Sequence, residues 1–126
     1  MTWVTARARV WFILGGVMLL MAAFVACGSS APPQPHTFQI QIRNAQVAGG
    51  GTHTFTVKQG DPVTFEVNSD TGGTLNIDAY KIAYPVTVGQ TTTVALTAHS
   101  TGSFPVEFGV TGADELEIGR FNVEPK

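Results

Sequence analysis

The sequence predicts an all-β fold, a Greek-key β-sandwich of seven to eight strands. From Thr37 onward, apolar residues recur at every second position, which is typical of strands that bury one face. Clusters of Gly, Pro, Asp and Ser interrupt these runs at short intervals and predict tight turns. No segment after residue 30 has a helical period, so helices are not expected in this part of the chain.

Eight alternating runs define the predicted strands. In chain order they cover residues 38–42, 55–57, 63–67, 75–77, 86–88, 94–98, 104–108 and 116–123. The turn clusters between them lie at residues 49–51, 60–62, 70–73, 89–90 and 101–103. In the last run the alternation changes phase between Ile118 and Phe121, which predicts a β-bulge near Gly119.

Composition limits the classes of function. The chain has 126 residues, one Cys and a formal net charge of −2. That length suits one domain, and the acidic balance argues against nucleic-acid binding, which requires a basic face. A single Cys excludes a disulfide framework and a Cys-rich zinc site.

Residues 1–26 have the layout of a secretory signal peptide, which is expected to form a helix. Arg7 and Arg9 supply the basic start, and residues 10–25 are almost entirely apolar. This run is shorter than the roughly 20 residues of a transmembrane helix. No basic stop-transfer cluster follows it, so a processed signal fits better than a permanent span. Processing would remove both arginines and leave five basic against nine acidic residues, a net charge of −4.

The end of this segment, Val25-Ala26-Cys27-Gly28, resembles a bacterial lipobox. The resemblance implies cleavage before Cys27, a diacylglyceryl group on its sulfur and acylation, for example by palmitate, of the new amino terminus. Two or more acyl chains anchor a protein stably, whereas one does so only marginally. A plain secreted protein with a free thiol, or an uncleaved signal anchor, are the alternatives.

Residues 27–36 form the predicted tether between lipid and domain. They are rich in Ser and Pro, and an extended polyproline chain of about 3.1 Å per residue would reach up to ~30 Å. Residues 37–126 would then form a domain attached through Cys27 to the extracytoplasmic face of a bacterial membrane, in the cell envelope.

Four phrases of the predicted domain fall in the order found in the cupredoxin-like family. Residues 54–67, with Gly60-Asp61 between two strands, resemble its strand pair, and residues 74–82 fall where copper-bearing relatives read Leu-His-x-His-Gly-Tyr. Residues 102–108 are similar to the strand before its second ligand loop, and 119–125 to its closing strand. The resemblance implies a cupredoxin-like sandwich over residues 37–125.

The copper ligands that the resemblance implies are missing. Asn76 and Asp78 stand at the two histidine positions, and no ligand occurs around Gly109. A blue-copper centre needs two His, a Cys thiolate and a weak axial ligand such as Met. The only Cys is Cys27, and the Met residues (Met1, Met18 and Met21) lie in the signal. We therefore expect a domain without type 1 copper and without a cofactor.

Other chemistry has weaker support. An unorthodox metal site of His53, Asp78 and His99 is the alternative function, because distant residues can converge in a sandwich. The acidic run Asp114-Glu115-x-Glu117 is interpreted as a solvated turn, since no Asp-rich calcium loop surrounds it. No Gly-x-Ser-x-Gly nucleophile elbow occurs, and we expect no enzyme activity.

The expected function is a structural or binding role at the envelope, with an unknown protein or ligand partner. The predicted contact surface is the end that carries copper in the family, represented here by Asn76, Asp78, Tyr80 and Tyr84. Tyrosines are common anchors at binding surfaces. They are also common as caps over the open end of a sandwich, and that interpretation stays open for both.

Overall fold

The computed structural model of the protein describes residues 31–126, which form nine strands and one short 3-10 helix. The elements are β1 (His36–Arg43), β2 (Gln46–Val47), β3 (His53–Lys58), β4 (Pro62–Ser69), β5 (Gly73–Ile77), the 3-10 helix Asp78–Tyr80, β6 (Ile82–Val86), β7 (Thr91–Thr97), β8 (Gly102–Gly109) and β9 (Leu116–Glu124). The predicted signal peptide, Cys27 and the first part of the tether lie outside the described residues. Among residues 31–126, no helix is long and apolar enough to cross a bilayer.

The strands form two sheets packed face to face. One sheet has the order β2-β1-β4-β7, and the other has the order β3-β9-β8-β5-β6. Two pairs are parallel, β1 with β4 and β3 with β9, and the remaining pairs are antiparallel. The predicted all-β sandwich is confirmed, with the two-residue β2 as the strand that the sequence pattern did not show.

One predicted strand is displaced. The run at 86–88 was expected to be a strand, but β6 covers Ile82–Val86, and Val88 lies beyond it and is 55% exposed. The 3-10 helix and Lys81, which has a φ of 53°, turn the chain tightly enough for Ile82 to pair with Ile77. The hairpin therefore begins earlier than the apolar pattern indicates.

The core lies between the sheets and is built from the alternate residues of each strand. Phe65 of β4 is fully buried and packs edge-on against Phe55 and Phe121 of the opposite sheet, with ring centroids 5.2 and 5.6 Å away. Edge-to-face packing is the favoured geometry of aromatic pairs, and burial of such rings dominates core energetics. These three rings join the two sheets near the centre.

The β-bulge predicted near Gly119 is confirmed. Val106 pairs with Gly119 and Glu107 pairs with Glu117, which leaves Ile118 as the extra residue of β9. Ile118 and Gly119 are consecutive buried residues, so the strand keeps its apolar side chains inward on both sides of the bulge. A Cβ at Gly119 would lie only 2.5 Å from the Phe55 ring, so glycine is required for this close approach.

Candidate functional site

On the outer face of the five-stranded sheet, strand β5 meets the segment 109–115. Asn76 of β5 pairs with Glu107 of β8, and its side-chain amide donates a hydrogen bond to the Oε1 atom of Glu115. The side chain of Glu115 lies over Gly109, where a Cβ would be 3.2 Å from its Cγ atom. The fold thus brings position 76 beside the segment 109–115.

Carboxylates dominate this face. Burial raises the pKa of Glu107, and the neighbouring charges of Glu115 and Asp78 raise it further. Glu117 pairs with Glu107 in the register and is neutralised in part by Arg120, whose Nε atom lies 3.0 Å from a Glu117 oxygen. The result is a negative, hydrogen-bonding surface of hard oxygen atoms, unlike the imidazole and thiolate set of a blue-copper centre.

Tyr80 is a cap of the core. Its hydroxyl donates to the carbonyl of Ser100 at 2.9 Å and accepts from the Ser100 backbone N–H at 3.3 Å. Its ring packs against His99 and Phe104, with centroid distances of 4.5 and 5.6 Å. Burial raises the pKa of the Tyr80 phenol.

The predicted contact surface is divided in the structure. Asn76 pairs with Ala83, and Tyr84 pairs with Leu75, so Asn76 and Tyr84 lie on opposite faces of the β5–β6 pair. Tyr84 is 48% exposed. Asp78 starts the 3-10 helix, close enough to Glu107 to influence its charge.

The structure adds two residues that the sequence interpretation had not selected. Glu107 was placed in a strand, and Glu115 was assigned to a solvated acidic turn. Knowledge of the strand register could have identified them. In that register Glu107 pairs with Asn76 on one neighbouring strand and with Glu117 on the other.

The histidines of the alternative metal site are not brought together with Asp78. His53 begins β3 and stacks on Phe55 with a centroid distance of 6.3 Å, whereas His99 packs on Tyr80. Within residues 31–126, no group of three or more His, Cys, Asp or Glu is arranged to hold a metal ion.

Comparison with solved structures identifies the fold. A blue copper oxidase from Nitrosomonas europaea matches 74% of this chain and 40% of its own, at 17% identity and a TM-score of 0.65. A multicopper oxidase matches 78% of this chain and 46% of its own, at 16% identity and a TM-score of 0.59. The periplasmic domain of cytochrome oxidase subunit II of Bradyrhizobium japonicum matches 71% and 84%, at 10% identity and a TM-score of 0.54. The fold is cupredoxin-like.

The likeness shows the fold alone, at these identities. No protein family matches the chain, and no curated protein does. This chain spans less than half the length of the two oxidases that it matches.

A second cluster, at the start of the cupredoxin-like domain, had not been expected. The buried carboxylate of Asp61 accepts hydrogen bonds from the backbone N–H groups of Gln34 at 2.9 Å and Lys58 at 3.1 Å. The Nε2 atom of His36 lies 2.9 Å from the same carboxylate. The Gln34 N–H is the largest contribution that lowers the pKa of Asp61. We call Asp61, Gln34 and His36 the clasp.

The clasp shows that the last residues of the predicted tether are bound to the domain. These residues are Gln34 and His36, and β1 begins at His36. The sequence signal was limited to the Gly60-Asp61-Pro62 turn, in which Asp61 had only a turn role.

Proposed function

We propose that this protein is a bacterial lipoprotein that displays a non-copper cupredoxin-like domain at the cell envelope, in a structural or binding role. Cys27 would carry the lipid, and the domain would lie on the extracytoplasmic face of the membrane. The proposal assigns no catalytic role and no cofactor.

One arrangement carries the proposal. A lipobox-like sequence ends at Cys27, and β1 of the cupredoxin-like domain begins nine residues later, at His36. A lipid on Cys27 would therefore hold the domain close to the membrane without a transmembrane helix. In the domain itself, Asn76 and Asp78 replace imidazole ligands by an amide and a carboxylate, which favours recognition by hydrogen bonds over electron transfer.

The binding surface we propose is the outer face of the five-stranded sheet around Asn76. It includes Asp78, Glu107 and Glu115. Tyr84, exposed on β6, is the nearby aromatic candidate for a separate contact. The negative charge of this surface suits a partner that presents basic or hydrogen-bond-donating groups.

Lipid attachment is tested by metabolic labelling of the full chain with a palmitate analogue. We expect label and a mass shift on the wild-type protein, and neither on a Cys27→Ser variant. Cys27 is the only cysteine of the chain, so the assignment is unambiguous. An unlabelled wild-type protein released into the medium would refute the anchoring.

The binding role is tested by crosslinking capture from the envelope with the full chain. The variants Asn76→Ala and Tyr84→Ala report on the two faces of the β5–β6 pair, and Tyr80→Phe controls for the cap. Unchanged capture by both alanine variants, with circular dichroism showing an intact fold, would contradict a contact surface at this end.

Copper titration of the full chain tests the alternative of metal handling. We expect affinity no greater than that of a histidine-containing control peptide. Stoichiometric tight binding that is lost in His53→Ala or His99→Ala would overturn the metal-free proposal.

A further inference from the structure

The strand β7 is an open edge of the four-stranded sheet. Just after it, Ala98 donates its N–H to the carbonyl of Asp61 at 2.9 Å and accepts from the N–H of Gly60 at 2.8 Å. Backbone groups alternate between the two sides of a strand, so the even-numbered residues of β7 face β4 in the same way. The odd-numbered residues, which include Thr93 and Ala95, point their backbone groups away from β4. Within residues 31–126, no strand pairs with that side of β7.

β7 also lacks the features that protect the edges of natural sheets. Charged side chains, Pro, bulges and very short strands are the usual means of protection. The seven residues Thr91–Thr97 are Thr, Val, Ala and Leu only, and their register with β4 continues without a bulge. Thr93 and Ala95 are exposed on the outer face of the sheet. A further strand can therefore add to this edge without meeting a charge or a kink.

The other edges are shorter or partly closed. β2 has two residues, and β1 beyond it is open only as far as the clasp. β6 has five residues and contains Pro85, which has no N–H group to donate. β3 is open only at Thr54 and Thr56, because Asp61 binds both backbone groups of Lys58. In the described part of the chain, β7 is thus the longest edge that is free to pair.

Two exposed apolar residues flank β7. β6 contacts β7 on this side of the sandwich, and Tyr84 of β6 pairs with the fully buried Leu75. Paired residues point to the same face, so Tyr84 projects from the core-facing side of β6 toward the sheet that β7 borders. Val88 lies in the short connection between β6 and β7. Tyr84 and Val88 are two of the three large hydrophobic residues that are exposed within residues 31–126. This side of the domain therefore offers apolar area beside an open strand.

We infer that the β7 edge is a homodimer interface, at which β7 of one copy pairs antiparallel with β7 of a second copy. The two four-stranded sheets then continue as one sheet. With the two-fold axis at Val94, Thr93 of each copy lies opposite Ala95 of the other, and these pairs exchange about four backbone hydrogen bonds. This interface goes beyond the proposed function and does not depend on lipid attachment.

The chemistry of β7 fits a second copy of the chain better than a charged peptide. β7 has no charge, so two copies meet there without repulsion, and a charged partner would find no complement on the strand. Antiparallel pairing about Val94 places each core-facing side chain of one β7 beside a core-facing side chain of the other. Thr91 then lies opposite Thr97, and Thr–Thr pairs across strands are favourable. The edge is thus complementary to itself in charge, in hydrogen bonding and in the direction of its side chains.

The area at this edge predicts a weak dimer. Specific, stable interfaces bury roughly 1,200–2,000 Å² in total, and the pairing of two short strands is small on that scale. Tyr84 and Val88 of each copy add apolar area, because both lie beside the edge that pairs. We therefore expect association that depends clearly on protein concentration.

Amide hydrogen exchange of the full chain in detergent tests where two copies meet. The Cys27→Ser variant is used, so that no disulfide can link two copies. The N–H groups of Thr93 and Ala95 should exchange several-fold more slowly as the concentration rises from micromolar to millimolar. Those of Thr54 and Thr56, on the β3 edge, should exchange at an unchanged rate. Exchange at Thr93 and Ala95 that is independent of concentration would overturn the inference.

Two matched double variants test the role of charge by sedimentation equilibrium in the same detergent. Thr93→Lys with Ala95→Lys places like charges directly opposite each other in the dimer and should raise the dissociation constant about tenfold. Thr54→Lys with Thr56→Lys adds the same charge to the β3 edge and should leave the constant unchanged. All four positions are exposed, so thermal unfolding should show intact folds. Equal weakening by both double variants would refute β7 as the interface.

A mixture of oppositely charged variants completes the test. Thr93→Glu with Ala95→Glu should dissociate as the β7 lysine variant does. An equimolar mixture of the two should dimerise at least as tightly as the wild type, because opposite charges then face each other across the edge. A mixture that stays monomeric would refute the antiparallel β7 pair. A wild-type chain that is monomeric at every concentration would refute the dimer and leave β7 as an edge for a strand of another protein.

Discussion

Asp61 illustrates how one residue can fix the boundary between a linker and a domain. A buried carboxylate is costly unless hydrogen bonds compensate for lost water, and here three donors do so. Two of these donors belong to Gln34 and His36, in the segment that the sequence assigned to the tether. The domain therefore begins earlier than its apolar alternation indicates.

The Asp61→Asn variant should reduce the free energy of unfolding. The asparagine amide keeps the shape of the aspartate side chain. Its NH₂ group, however, faces a hydrogen-bond donor at the position where a carboxylate oxygen accepts a hydrogen bond in the wild type. Asp114→Asn, in the exposed loop before β9, is the matched control and should cost less. Denaturant unfolding of both variants measures the difference, and equal losses would contradict the role of the clasp.

Acid should weaken the clasp in a defined direction. The pKa of Asp61 is lowered from 3.8 in the fold, so its contribution to stability is present above that value and is lost as pH falls through the folded-state pKa. The stability difference between wild type and Asp61→Asn should therefore shrink in acid. Unfolding curves measured across this range check the trend, and a difference independent of pH would contradict it.

At the scale of single elements, the bulge in β9 was visible in the sequence and the position of β6 was not. A phase change in apolar alternation can be read directly between Ile118 and Phe121, because burial imposes it. The start of β6 depends instead on Lys81 in a left-handed conformation, which no local pattern of apolar residues reports. Likewise, the neighbours of Asn76 depend on register between strands that are distant in sequence.

Gly119→Ala should destabilise the domain by about 1–3 kcal/mol. The added methyl group would collide with the Phe55 ring and with the backbone oxygen of His53, at 2.5 and 3.0 Å. Gly72→Ala is the matched control, because a methyl group there meets its nearest neighbour at an ordinary 3.8 Å. Thermal unfolding compares the two, and similar losses would show that the bulge tolerates a side chain.

Glu107→Gln should increase stability at neutral pH by at most about 0.5–1 kcal/mol, since this partly exposed group is screened by solvent. Its pKa is raised above 4.5 by burial and by neighbouring carboxylates. Its favourable contribution is therefore present below pH 4.5 and lost as pH rises through the folded-state pKa.

The gain from Glu107→Gln should shrink in high salt and disappear in acid. Glu66→Gln, on β4 in the other sheet, is the control for loss of a carboxylate. Unfolding in low and high salt makes the comparison, and a gain shared by both variants would point to net charge rather than to this cluster.

At the scale of the whole molecule, a few aromatic rings pack between the two sheets and join them. The sequence located these rings by their alternation, and it also predicted the class of fold. The sequence does not show which rings meet across the sandwich, because the packing of one sheet on the other depends on the order of strands in each sheet. The structure assigns the central position to Phe65, with Phe55 and Phe121 across from it.

Phe65→Ala should therefore cost about 3–5 kcal/mol of folding free energy. Phe38→Ala, at a partly buried position packed against the same core, should cost less. Guanidinium unfolding of both variants provides the comparison. A loss for Phe65→Ala no greater than that for Phe38→Ala would show that the sheets are joined mainly elsewhere.

The pairing of β3 with β9 also has a consequence for timing. Within residues 31–126, β3 is hydrogen-bonded along its length only to β9, which comes more than fifty residues later in the chain. The five-stranded sheet therefore cannot form completely until β9 is available to pair. Pairing between strands so far apart in the sequence is slow. We propose above that this chain is exported. Residues 53–124 would then remain unfolded, and able to pass through a narrow secretion channel, until β9 has emerged.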